Sequence, residues 1–234
     1  CNQLWSADYK GQFKTGDGAW CYPLTIMDHH SRRLLCCQGL RGPRLAQTQQ
    51  AFTRLFHRYG LPERLRTDNG APFASTAPGG LSRLAVWWIR LGITPERITP
   101  GKPQQNARHE RMHRTLKADT ARPPAASLVA QQRRFDDFLD EYNHQRPHEA
   151  LGQWPPARLY RPSQRAFPER LPAIDYPGHV QVRTVKPPGI VYWGGGQVYV
   201  GQVLIGQPVA LEEIDNDLWQ LHFAHVPLGR IHYQ

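Results

Sequence analysis

The first forty residues alternate between short apolar runs and polar breaks in the manner of strands. Leu4-Trp5-Ser6-Ala7-Asp8-Tyr9-Lys10 reads as one strand. Residues 19–28 and 33–39, rich in β-branched, aromatic and Cys side chains, read as two more, and Asp28-His29-His30-Ser31-Arg32 between them is turn chemistry. Three consecutive antiparallel strands are predicted. From residue 44 the period lengthens: Leu45, Phe52, Leu55, Phe56 and Tyr59 follow helical spacing, and Gly60-Leu61-Pro62 ends the helix. Arg64-Leu65-Arg66-Thr67 is a short strand closed by the Asp68-Asn69-Gly70 turn. A small-residue, Pro-rich loop covers 71–80, and 81–91 is helical, with Leu84, Val86, Trp87, Trp88 and Leu91 able to cover a sheet face. Gly92-Ile93-Thr94 opens another strand. Beyond the Gly101-Lys102-Pro103 break, helices are predicted from Gln104 to Thr120 and from Leu128 to Gln145, separated by Arg122-Pro123-Pro124. Strands first, then alternating helix and strand, predict a mixed α/β sheet.

The pattern changes in the last third. Residues 152–172 are rich in Pro and Arg with weak periodicity. Short strands then recur at 180–186, 189–193, 197–205, 208–214 and 218–223, with turn chemistry at Gly194-Gly195-Gly196 and Asp215-Asn216-Asp217. This spacing predicts a small β-barrel. The expected division is a core over 1–160, a linker over 161–173 and a barrel over 174–234.

The net charge of +10 directs attention to a polyanionic partner, because neutralised phosphates release counterions. A hydrophobic fraction of 40% supports a real core and excludes a disordered chain. No apolar run approaches the roughly 18 residues of a membrane span, and the first residues carry no signal-peptide pattern, so a cytoplasmic protein is expected. The four Cys residues lack C-x-x-C spacing, which favours free thiols over a zinc site or disulfide framework.

Metal-assisted phosphodiester chemistry needs carboxylates that converge on hard cations from strand ends or a facing helix. Asp8 in the first strand, Asp68 at the end of a later one and Glu110 in the long helix are candidates. At these residues the chain resembles the integrase-like DDE transposases of bacterial insertion sequences, which share the ribonuclease-H fold with retroviral integrases. Trp5-Ser6-Ala7-Asp8 is similar to the family's W-x-x-D strand. Thr67-Asp68-Asn69-Gly70-Ala71-Pro72-Phe73 is similar to T-D-N-G-x-x-F. Pro103-Gln104-Gln105-Asn106-Ala107-Arg108-His109-Glu110-Arg111 resembles P-x-x-N-G-x-x-E-R, and Tyr142-Asn143-His144-Gln145-Arg146-Pro147-His148-Glu149-Ala150-Leu151 resembles Y-N-x-x-R-P-H-x-A-L. Two departures stand out: Ala107 replaces the usual Gly, and the interval from Asp68 to Glu110 is longer than usual, with the extra residues expected within 74–80.

The resemblance implies a ribonuclease-H-like mixed sheet with flanking helices, followed by a small C-terminal SH3-like β-barrel. It implies that Asp8, Asp68 and Glu110 bind two Mg²⁺ or Mn²⁺ ions and catalyse DNA cleavage and strand transfer. The partners would be element ends and target DNA, on a homodimer or larger assembly. A helix-turn-helix module, used by relatives to read terminal repeats, is expected to lie outside this chain.

Arg114 and Lys117 fall four and seven positions after Glu110, on its side of the helix, where they could meet a phosphate; a plain Glu–Arg pair on a solvated face is the bland alternative. Lys102, Gln104 and Asn106 precede the helix on a loop that could touch DNA. Asn69 could orient a metal-bound water or simply make its turn. Asp28 reads as a turn former rather than a fourth catalytic acid. His109-Glu110-Arg111-Met112-His113 also matches the zinc-protease signature H-E-x-x-H, which would use the same glutamate as a general base. That reading leaves the other segments and the basic charge unexplained. A nuclease of the same fold, and a non-catalytic DNA-binding remnant of a transposable element, are the other function classes that fit.

Overall fold

The computed structural model describes residues 1–99 and 107–232. They gather into two compact units, 1–71 with 92–167, and 72–91 with 168–234. This division differs from the sequence-based one in two places: 72–91 groups with the C-terminal part, and 161–167 groups with the N-terminal part.

In the first unit, β1 (Leu4–Tyr9), β2 (Phe13–Lys14), β3 (Trp20–Asp28) and β4 (Leu34–Leu40) come first, and β3 pairs antiparallel with each of the other three. The helix α1 (Leu45–Tyr59) carries the chain to β5 (Arg64–Thr67), which lies parallel to β1. Its apolar stripe buries Ala51, Phe52, Leu55, Phe56 and Tyr59. It stops at Gly60, whose N–H donates to the Phe56 carbonyl and whose φ of +74° suits glycine. A Cβ at Gly60 would stand 2.7 Å from the Ser163 carbonyl oxygen, so no larger residue fits.

The numbering passes next to α2 (Arg83–Arg90) of the second unit, then returns to the first with β6 (Thr94–Arg97), parallel to β5. The sheet order is β2-β3-β1-β5-β6, with β4 on β3, a mixed sheet as the element order predicts. Strand alternation then sorts the side chains. Trp5 of β1 faces α1, with its ring 6.1 Å from that of Phe56. Ser6 and Asp8 face the other way, beside Met27 and Thr25, their cross-strand partners on β3. That face is covered by α3 (Ala107–Thr120) and α4 (Leu128–His144), which bury Met112, Leu116, Phe135, Phe138 and Tyr142 against Cys21, Met27 and Cys37. The short α5 (Pro156–Leu159) follows.

In the second unit, α2 is capped by Ser82, whose hydroxyl accepts the Ala85 N–H. Its Ala85, Val86 and Ile89 share one core with Val191, Leu211 and Phe223. The strands are β7 (Gln181–Thr184), β8 (Ile190–Trp193), β9 (Gly196–Tyr199), β10 (Pro208–Asp215), β11 (Leu218–Phe223) and β12 (Val226–His232). They form an antiparallel sheet, β12-β11-β10-β7, and a separate β8–β9 hairpin. The hairpin closes through Gly194 and Gly195 at φ of +56° and +76°, the positive values a tight two-residue turn requires. Two details depart from the sequence reading. The run 197–205 ends as a strand at Tyr199 and continues as a 3₁₀ turn over Gln202–Leu204. β12 was not expected, because Pro227 and Gly229 interrupt its alternation.

The cysteines are free: Cys1 is exposed, and Cys21, Cys36 and Cys37 are buried. Burial pushes the Cys21 and Cys36 thiols up to about 12, so they behave as apolar core residues. Among the described residues no helix is long and apolar enough to cross a membrane.

Candidate active site

Ala7 pairs with Thr67 across the parallel β1–β5 ladder. Asp8 follows Ala7 on β1 and Asp68 is the first residue past β5, so both lie at the carboxyl ends of adjacent strands, where open α/β sheets place their sites. Asp68 Oδ1 accepts the Gly70 N–H at 3.1 Å, and Asn69 Nδ2 donates to the Ile98 carbonyl at 3.2 Å, which anchors this turn to the end of β6. A Cβ at Gly70 would stand 3.1 Å from Asp68 Oδ2, so glycine there keeps the space beside the carboxylate open.

The α3 helix presents different chemistry on successive sides. Its inner stripe buries His109, His113, Leu116 and Thr120. Next around the helix, Glu110, Arg114 and Lys117 line a groove of about 530 Å³ together with Lys10 and Arg122. Among the described residues no ion pair joins Glu110 to Arg114, so the bland pairing is not formed. The spacing-based grouping of Glu110, Arg114 and Lys117 is present as geometry. Lys10 was legible too, since it stands two residues from Asp8 just past the end of β1; Arg122, beyond the helix end, carried no signal. Lys102, Gln104 and Asn106 lie outside the described residues.

Beneath Asp8 runs a buried polar network. Ser6 Oγ lies 2.8 Å from His109 Nδ1, His109 Nε2 2.7 Å from Thr25 Oγ1, and His113 Nε2 2.6 Å from the same hydroxyl. Thr25 Oγ1 also reaches the Asp8 carbonyl at 3.2 Å, and His113 Nδ1 lies 3.8 Å from Asp8 Oδ2. A hydroxyl has one proton, so at least one imidazole must donate to Thr25. One arrangement pairs three of the four ring nitrogens along the chain: Ser6 donates to His109, His109 to Thr25 and Thr25 to His113, which leaves the His113 Nδ1–H facing the Asp8 carboxylate. Burial holds both imidazoles neutral, with His113 pushed down to about 3 and His109 well below the usual histidine range.

This network removes the zinc-protease arrangement. Both ring nitrogens of His109 are engaged by hydroxyls, and among the described residues no three His, Cys, Asp or Glu stand close enough to hold one ion together. By the same measure Glu110 is not closed onto Asp8 and Asp68. Asp8 and Asp68, at the ends of paired parallel strands, are partly exposed hard-oxygen donors of the kind that suits Mg²⁺ or Mn²⁺. Asp28 is fully buried, accepting the Asn2 N–H and both the N–H and hydroxyl of Ser31, which makes it a structural turn residue.

Residues 1–103 match one family model described as an integrase core domain, and 91–156 match a second with the same description. Over 163 residues the chain is 29% identical to the insertion element IS407 uncharacterized 31.7 kDa protein of Burkholderia multivorans, covering 68% of this chain and 55% of that one. Over 109 residues it is 34% identical to the IS476 uncharacterized 39.2 kDa protein of Xanthomonas euvesicatoria, covering 45% and 30%. The chain thus spans about half the length, or less, of these relatives. Among solved structures, the HTLV-2 integrase catalytic core in complex with magnesium superimposes with a TM-score of 0.53 at 15% identity, covering 68% of this chain and 97% of that one. A chain of the simian T-cell lymphotropic virus intasome complex gives 0.54 at 18% identity, covering 98% and 79%. These likenesses establish the ribonuclease-H-like fold of the sheet that bears Asp8 and Asp68. The two integrase core domain models together span residues 1–156, and proteins of insertion elements are among the sequence relatives.

Proposed function

We propose that this chain is the catalytic region of a DNA transposase of the integrase type, which cleaves a phosphodiester and joins the freed DNA end to a target. The observation that carries this reading is the placement of Asp8 and Asp68 at the ends of adjacent parallel strands. The cationic groove that contains Glu110 adds support. Asp8, Asp68 and Glu110 would hold Mg²⁺ or Mn²⁺, which supplies an activated attacking oxygen and a stabilised leaving oxygen. The protein's own groups do the rest. Lys10, Arg114, Lys117 and Arg122 neutralise backbone phosphates along the groove, and Gly70 leaves room beside Asp68 for the substrate. The Ser6–His109–Thr25–His113 network fixes α3 against β1 and β3, which sets the depth of Glu110. Lys102, Gln104 and Asn106 remain proposed DNA contacts on chemical grounds.

The sheet and hairpin of the second unit are read as an SH3-like barrel that contacts DNA or a neighbouring subunit. Joining two DNA ends requires more than one active site, so a dimer or larger assembly is proposed.

Incubation of the full chain with end-labelled duplex DNA carrying a recessed 3′ end, in Mg²⁺ or Mn²⁺, tests the reading. Cleavage or strand-transfer products that vanish in Asp8→Asn are expected. Cutting confined to RNA–DNA hybrids would replace the transposase by a ribonuclease, and DNA binding without products in either metal would make the chain a non-catalytic remnant.

A further inference from the structure

A second cationic site lies on the opposite flank of α3. Arg108, Arg111 and Thr115 share a side of the helix that lies ~130° around from Glu110, Arg114 and Lys117, at 3.6 residues per turn. With Arg32, Arg146 and His148 they surround a cavity of about 660 Å³ floored by Met27, Met112 and Tyr142. Its positive charge is only partly compensated. Arg146 is offset by Asp119 and Glu141, and Glu149 is the acid in the lining, but among the described residues no carboxylate pairs with Arg32, Arg108 or Arg111.

Two further features set this cavity apart from an ordinary solvated face. Arg32 is held at φ of +63°, a conformation that L side chains rarely adopt, and its Nη1 donates to the His29 carbonyl at 2.8 Å. Burial and the neighbouring Arg108 and Arg111 push its guanidinium down from its usual range, the expected sign for crowded positive charge. His148 Nε2 is buried in the wall with no hydrogen-bond partner.

We propose that this pocket binds the backbone phosphates of a DNA segment other than the one held at Asp8 and Asp68. Guanidinium forks match phosphate oxygens, and several around one opening fit a run of phosphates rather than a single small anion. The two cationic sides of α3 then engage separate DNA segments, which joining an element end to a target requires. This inference rests on the transposase reading.

The test is fluorescence anisotropy of a labelled duplex on the full chain across a salt series, without divalent metal. Arg111→Ala combined with Arg32→Ala is expected to lower affinity roughly tenfold at moderate salt and to reduce the log K against log salt slope by about two. Because Arg32 holds a strained turn, Arg111→Ala alone is measured as well; Arg111 is exposed, and a slope reduction of about one is expected. Glu149→Gln should leave the slope unchanged or raise it. Unchanged slopes in both Arg variants, with wild-type DNA binding intact, would overturn the pocket assignment and leave the proposed function standing. A wild-type chain that binds no DNA would overturn both. Loss of polyglutamate binding in the variants at unchanged DNA slope would assign the pocket to an acidic peptide instead.

Discussion

His113 Nδ1 lies 3.8 Å from the Asp8 carboxylate, while its Nε2 lies 2.6 Å from Thr25 Oγ1, the side chain directly across the ladder from Asp8. Cross-strand register and helix docking thus meet at one hydroxyl. The carboxylate end of β1 is tied to α3 through buried neutral groups rather than through an ion pair.

Thr25→Val keeps the volume but removes the shared hydroxyl, leaving two buried imidazole nitrogens unpaired. A loss of roughly 1–3 kcal/mol per orphaned group is expected, and Thr25→Ser should restore most of it. Chemical denaturation of the three proteins measures this.

Two buried histidines, His113 of this network and His29 just past β3, predict acid sensitivity. Their folded-state values lie below the ordinary 6.5, His113 near 3 and His29 near 4, both chiefly through burial. The unfolded chain therefore binds more protons below that point. Stability should be full above pH 6.5 and fall as pH drops toward 4, by about 1.4 kcal/mol per pH unit for each such histidine. Urea midpoints over this range should show a shallower slope in His113→Asn; an identical slope would exclude His113 as a contributor.

Asp68→Asn and Glu110→Gln should each abolish cleavage in Mg²⁺ while shifting stability by about 0.5 kcal/mol or less, since both side chains are at least partly exposed and Asn can still accept the Gly70 N–H. Full activity in either variant, assayed beside a thermal melt, would remove that residue from the catalytic set.

Asn143 makes a different kind of prediction. Its Oδ1 accepts the Leu34 N–H at 2.9 Å and its Nδ2 donates to the Leu34 carbonyl at 2.8 Å, so it serves the start of β4 as a substitute strand partner. Asn143→Leu leaves both backbone groups buried and unpaired, and should cost roughly 2 kcal/mol or more. DNA cleavage at temperatures well below the melt should be retained, because this motif residue is structural.

Much of the first unit was legible because its periodicities are strong and local. The strand at Leu4–Tyr9, the α1 stripe ending at Gly60, and the Asp68-Asn69-Gly70 turn each follow from a few neighbouring residues. Glu110, Arg114 and Lys117 could be grouped because helical spacing alone decides which side chains share a side. Other outcomes depended on which surfaces meet. The apolar stripe of α2 announced a helix that needed cover, but not that Val191, Leu211 and Phe223, more than a hundred residues later, would supply it. The β12 strand was hidden because Pro227 and Gly229 break an alternation that pairing with β11 nevertheless sustains.

For the candidate site, the sequence by itself determined the residue types: carboxylates at two strand ends, a glutamate on a basic helix, and a net charge suited to phosphate. It left Glu110 claimed by two chemistries, a metal-binding trio and an H-E-x-x-H zinc site. Tertiary structure argues against the second, because Ser6 and Thr25 bring hydroxyls to His109 and His113 that a zinc ion would have to displace. It also set Asp8 and Asp68 at the ends of paired parallel strands, while Glu110 stands on the groove side of α3. The physical reason is that periodicity fixes which way a side chain points along its own element, whereas register and docking, set by burial over the whole chain, fix what it meets.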